Sequence, residues 1–156
     1  MIKQYIKGSI LDAPQKYIAH GVNCQNVMGS GVARVLFEEY PSVKTQYHMF
    51  CDDMTIEGDT AGLLGYICTA LGEKTVFNCF TQDSYGYDGK KHVDYEAVYK
   101  CFIGLTARLK GTSTHAIAIP KIGCGLAGGN WDIVKQIIDD ATGDDLDVFV
   151  YYLEDK

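Results

Sequence analysis

Two glycine clusters constrain this chain more than any other feature. They are Gly29-Ser30-Gly31 and Gly123-Cys124-Gly125 with Gly128-Gly129, and each stands between an apolar, strand-like run and a helix-like run. Glycine gathers where the backbone turns tightly or approaches another group closely. A glycine-rich turn that opens a helix leaves free backbone N–H groups at the positive end of the helix dipole, which together attract anions. Two such turns facing one another form nests that can grip a diphosphate. Neither loop, over 20–33 or 123–131, contains lysine or arginine, so the attraction must come from oriented amides. Neither matches GxxxxGK, which removes support for a nucleoside-triphosphatase P-loop, and although 123–128 fits the letters GxGxxG, that string alone is a weak sign of a standard Rossmann dinucleotide site.

Around these clusters strand-like and helix-like patterns alternate. Strands are expected over 2–7, 17–23, 64–69, 75–82, 115–120 and 147–153, and helices over 31–39, 42–52, 94–110 and 130–142. Pro41 disfavours helix at Tyr40 and so closes the first helix. Asp94 is a cap for the third, whose apolar positions are Val98, Phe102, Leu105 and Leu109. The runs Ala116-Ile117-Ala118-Ile119 and Val148-Phe149-Val150-Tyr151 suit central strands covered on both faces. Alternating strand and helix implies a three-layer α/β domain, and no linker or repeat divides residues 1–156. In such sheets ligands bind beyond the carboxyl ends of the strands, where both clusters should lie.

Composition narrows the function. With 156 residues and a net charge of −6 the chain can build a full core without staples and offers no basic cluster for electrostatic nucleic-acid binding. Its apolar runs are too short to span a bilayer, and its first residues lack the apolar stretch of a secretion signal, so no membrane association and a cytoplasmic location are expected. Six cysteines without a CxxC or paired histidines argue against structural zinc, and no metal or cofactor is expected. Cys68, Cys79 and Cys101 sit in apolar contexts suited to small buried hydrophobes. Trp131 is expected to anchor the last helix to the sheet.

The sequence VNCQNVMGSGVA (22–33) followed by PKIGCGLAGGNW (120–131) resembles the macrodomain superfamily, whose fold binds ADP-ribose. The resemblance runs from IKGSIL (6–11) to VFVYYL (148–153). It implies a three-layer α/β/α macrodomain with a mixed, mostly parallel central sheet. It is strongest to the branch of fungal and phage-type ADP-ribose 1″-phosphate phosphatases and of deacylating or DNA-directed ADP-ribosyl hydrolases; FTQDSYGYDGKKHVDYEAV (80–98) looks particularly like the phage-type group.

The resemblance also implies a site. Asn23 would hold the distal ribose, while Gly29, Ser30, Gly31 and Val32 and the facing Gly123, Cys124, Gly125 and Leu126 would cradle the diphosphate and ribose. Asn26, Met28, Thr81 and Ala127 complete the expected ligand-binding set. The family usually has Gly-Asp-Ile in the opening segment, where the aspartate reads the adenine amino group; this chain has Gly8-Ser9-Ile10. Ser9 therefore replaces that aspartate, Ile10 would pack on the base, and Tyr151 or Tyr152 would border it.

His20 opens the first motif as a histidine does in the fungal phosphatases, and imidazole suits proton transfer near neutral pH. The expected reaction is hydrolysis of ADP-ribose 1″-phosphate to ADP-ribose and phosphate. His20 would be the acid for the departing sugar oxygen, Asn23 or Asn26 would orient water or ribose hydroxyls, and Asp83 would be the base if it points inward. Asp83, His92 and Asp94 have turn or helix-cap roles as competing readings. The alternatives are an ADP-ribosyl hydrolase acting on protein or nucleic acid, and a binder without turnover. The hydrolases it resembles use a lysine where this chain reads Phe80-Thr81-Gln82-Asp83 and an aspartate where it has Ala127. Nucleic acid enters only as an ADP-ribosylated substrate, and oligomeric state has no signature in the sequence.

Overall fold

The computed structural model describes residues 1–86, 91–125 and 127–153, so Leu126 of the expected site lies outside the described residues. Among the described residues six strands and four α-helices follow in the order β1 (Ile2–Lys7), β2 (Tyr17–Asn23), α1 (Gly31–Glu39), α2 (Ser42–Met54), β3 (Ile67–Ala70), β4 (Thr75–Gln82), α3 (Tyr95–Leu109), β5 (Ala116–Ile119), α4 (Trp131–Thr142) and β6 (Asp147–Tyr152). They form one sheet in the order β1-β6-β5-β2-β4-β3, parallel throughout except for β3, which runs antiparallel to β4 at one edge. The sheet is therefore mixed and mostly parallel.

Strand alternation divides the core in two. Ala19, Phe77, Cys79, Ile117, Ile119, Val148 and Val150 face α3 and α4. Ile18, Val22, Val76, Phe80, Ala118 and Tyr151 face α1 and α2. Successive strand residues point to opposite faces, so a central strand with a helix layer on each side is buried at nearly every position. β4 shows this with seven of its eight residues buried, the polar Thr75, Asn78 and Thr81 among them. On the helices the pattern is three and four residues apart: Val98, Phe102, Leu105 and Leu109 of α3 are buried. Asp94 Oδ1 accepts the Ala97 N–H at 2.9 Å and starts that helix.

The expected strand over 64–69 is displaced. Residues Thr60–Leu63 form a 3-10 turn capped by Asp59, and β3 begins only at Ile67. The apolar Leu63-Leu64 pair reads as strand in sequence, whereas Leu63 is buried by the turn itself. A second 3-10 turn, Ile10–Asp12, follows β1 with Ser9 as its cap. Among the described residues no helix is long and apolar enough to cross a membrane.

Because β1, β2, β5 and β6 run parallel, their carboxyl ends fall on one side of the molecule. The first glycine cluster joins β2 to α1 and the second joins β5 to α4, so both lie on that side.

Candidate functional site

Between the two glycine loops lies a cleft of about 1030 Å3. Ser9, Ile10, His20, Asn23, Met28, Gly29, Ser30, Gly31, Val32, Gly123, Cys124, Gly125, Ala127 and Tyr151 all line it. The chain brings these expected residues together from positions as far apart as β1 and β6.

The first wall is built around Tyr47 of α2, which is fully buried and stacks on Phe80 with ring centres 5.7 Å apart. Its hydroxyl lies 2.8 Å from the Asn23 carbonyl and 2.9 Å from Asn23 Oδ1, and it accepts the Val27 N–H at 3.1 Å. Burial pushes the Tyr47 phenol up, so it stays a hydroxyl. Asn23 Oδ1 also accepts the Gln25 N–H at 2.9 Å, while its Nδ2 donates to the Val27 carbonyl at 2.8 Å. The Asn23 side chain thus shapes the loop and retains one amide hydrogen.

Gly31 starts α1 with φ +62°, and a β-carbon there would meet nothing within 4 Å. Ser30 caps the helix in extended conformation without a side-chain hydrogen bond. The N–H groups of Gly31, Val32 and Ala33 consequently have no partner among the described residues, and all three residues line the cleft. Uncapped N–H groups at a helix start form an anion site. Opposite them, the second loop folds on itself: Gly129 N–H donates to the Gly123 carbonyl at 2.7 Å and Gly128 N–H to Gly125 at 3.1 Å. A β-carbon on Gly129 would stand 2.5 Å from the Gly123 oxygen, so this turn closes only without a side chain there.

His20 is 1% exposed. Its Nε2 lies 2.5 Å from Asn78 Oδ1, and its Nδ1 has no partner. Burial lowers its pKa from 6.5 to about 4, against a smaller upward effect of the Asn78 bond, so the ring is neutral at physiological pH. Cys124 donates to the Ile122 carbonyl at 3.3 Å, and burial pushes its thiol up to about 11. Burial, helped by the nearby Asp83 carboxylate, pushes Cys24 up to about 12. Neither thiol is ionised near neutral pH, which removes the activation a cysteine nucleophile needs.

Three expected residues are not on the cleft wall. Asp83 Oδ1 accepts from Gln25 Nε2 at 3.0 Å and from Thr60 Oγ1 at 2.8 Å, an arrangement that ties the first loop to the end of β4. Asn26, at φ +61°, donates to Asp52 at 3.0 Å and contacts His48 Nδ1 at 2.6 Å, both on α2. Thr81 Oγ1 is buried without a partner and sits 2.5 Å from where a β-carbon on Gly21 would fall. Asp83 and Asn26 thus bond to neighbouring loop and α2 side chains, while Thr81 lies buried against Gly21.

Other lining residues went unnoticed in the sequence: Gln82, Tyr85, Lys121 and Leu153 among them. Lys121 sits over the Tyr152 ring at 5.4 Å, and Trp131 donates its indole N–H to the Tyr5 hydroxyl at 3.1 Å while packing against the core. No carboxylate lines the cleft among the described residues, and no group of His, Cys, Asp and Glu among them could hold a metal.

A family model described as "Macro domain" matches residues 19–138. A phage T4 protein of 17.5 kDa described as uncharacterized is 36% identical, with 89% of each chain covered. An ADP-ribose 1″-phosphate phosphatase of Candida albicans is 26% identical over 94% of this chain and 98% of its own. A DNA ADP-ribosyl glycohydrolase of Thermus aquaticus is also 26% identical, but this chain spans about 40% of its length. The solved macrodomain of Thermus aquaticus DarG superposes with a TM-score of 0.76 at 26% identity, covering 97% of this chain and 98% of that one.

Proposed function

The chain belongs to the macro domain family, and from that premise we propose that it binds ADP-ribose between its two glycine loops and hydrolyses ADP-ribose 1″-phosphate to ADP-ribose and phosphate. The observation that carries the reading is the cleft itself: about 1030 Å3, with the unpartnered N–H groups of Gly31, Val32 and Ala33 on one wall and His20 among its lining. Free amides in an acidic protein suit a diphosphate, and the volume suits a dinucleotide-sized ligand. The phosphatase is preferred because the lysine and the second-loop aspartate of the hydrolases it resembles have no counterpart in Phe80-Thr81-Gln82-Asp83 and at Ala127, and a Candida phosphatase is among the relatives.

In this reaction a water attacks phosphorus as the bond to the ribose oxygen breaks. His20 is neutral, so it begins as the acceptor rather than the acid: Nδ1 takes the proton from water and passes it to the departing sugar oxygen. Asn23 orients the ribose with its remaining amide hydrogen, and backbone amides carry the phosphate charge. Asp83 supports the loop through Gln25 and Thr60.

Phosphate release from ADP-ribose 1″-phosphate, with His20→Ala as control, tests the reading. Turnover that falls at least a hundredfold in the variant, with ADP-ribose affinity within about threefold, is expected. The second reading, removal of ADP-ribose from nucleic acid or protein, is favoured by the Thermus relative. It takes over if no phosphate is released but ADP-ribosylated DNA or protein is cleaved. Binding with neither activity leaves a binder.

A further inference from the structure

His20 and Asn78 form a buried pair in which every hydrogen has an assignment. Asn78 is fully buried; its Nδ2 donates to the Val43 carbonyl at 3.1 Å and to Cys68 Sγ at 3.8 Å, which uses both amide hydrogens. Flipping the amide would set its oxygen against the Val43 carbonyl, two acceptors face to face. Oδ1 is therefore the atom presented to His20 Nε2, and the hydrogen in that bond belongs to Nε2. In the neutral ring Nδ1 then holds only a lone pair, buried and without a partner.

The ring borders the cleft although it is almost wholly buried. β4 continues alongside β2 as far as Gln82 and holds Asn78 on one side. On the other side β5 pairs with β2 at Ala118, opposite Ile18, and beyond it Pro120 and Lys121 join His20 in lining the cleft. Among the described residues no charged group shifts the ring's pKa, and the Cys68 thiol against Asn78 is itself pushed up by burial.

We propose that Asn78 is a positioning residue that fixes His20 in its Nε2–H form, so that Nδ1 accepts a hydrogen from a hydroxyl or water of the bound ligand. This rests on the reading that the cleft takes ADP-ribose. A lone pair cannot pair with a phosphate oxygen, which at neutral pH is also an acceptor. The assignment therefore divides the cleft by chemistry: phosphates on the amides of α1, a sugar hydroxyl or the attacking water on His20.

Long-range proton–nitrogen NMR of the four imidazoles, with His20 identified through His20→Gln, reads this in the intact protein. The expected spectrum has hydrogen on Nε2 and none on Nδ1 at pH 7, and ADP-ribose shifts the Nδ1 resonance while Nε2 stays protonated. In Asn78→Asp the carboxylate favours the imidazolium and turns Nδ1 into a donor. ADP-ribose affinity should then fall at least tenfold at pH 7 and recover as pH rises, a recovery that a packing defect would not give. If that variant does not fold, the wild-type spectrum decides. An Nδ1–H tautomer, or ADP-ribose that binds and leaves Nδ1 unmoved, overturns this inference alone. Absence of ADP-ribose binding overturns the underlying reading and this assignment with it.

Discussion

Burial moves two side chains of the cleft in opposite directions on the pH scale and leaves both uncharged: His20 falls to about 4 and Cys124 rises to about 11. For His20 the consequence is a stability that depends on pH. The unfolded chain takes up the proton near pH 6.5 and the folded one only near 4, so the stability held above 6.5 declines as pH drops through that window, by about 3 kcal/mol in all. Denaturant midpoints at pH 7 and pH 5 should show the decline, and His20→Gln should flatten it; an unchanged slope would contradict a buried neutral ring. For Cys124 the consequence is chemical silence. Cys124→Ser should keep phosphate release within about threefold of the parent, since a thiol this weakly acidic has no activated nucleophile to lose.

The elements that shape the site are held by contacts of two kinds, and these differ in how well a sequence reveals them. Glycine loops and apolar strands announce themselves locally. The turn at Gly129 and the runs Ala116-Ile117-Ala118-Ile119 and Val148-Phe149-Val150-Tyr151 are where sequence reasoning expects them. Partners chosen across the fold do not: Asp83 is held by Thr60 and Gln25, and Asn26 by Asp52 and His48, residues that no periodicity links. Tyr47 belongs to the same class, since nothing in α2 alone marks its hydroxyl as the anchor of Asn23. Two substitutions separate these kinds. Gly129→Ala forces a β-carbon against the Gly123 oxygen and should lower stability by about 1–3 kcal/mol, measured as a drop in melting temperature. Tyr47→Phe leaves the ring stack but removes the hydroxyl that bonds Asn23 and the partly buried Val27 N–H, costing about 1 kcal/mol, with weaker ADP-ribose binding because the loop loses its anchor.

At the scale of the molecule, the proposed binding of a diphosphate by a chain of net charge −6 relies on local geometry against its overall field. Amides fixed at a helix start act over the first turn, whereas net charge acts over a screening length of about 10 Å at 0.1 M salt. Raising salt should therefore leave ADP-ribose affinity unchanged or slightly improved, the opposite of a site built from lysines; a steep loss would point to Lys121 of the cleft wall instead of the amides. Calorimetric titration of ADP-ribose into the parent and Gly31→Val tests the central claim most directly. Valine at φ +62° places its side chain in the open space over the α1 amides, at a backbone strain of about 1–2 kcal/mol. Saturable one-site binding by the parent and at least a hundredfold weaker binding by a still-folded Gly31→Val is the predicted result. Equal affinity in the two, or no binding by the parent, would contradict it.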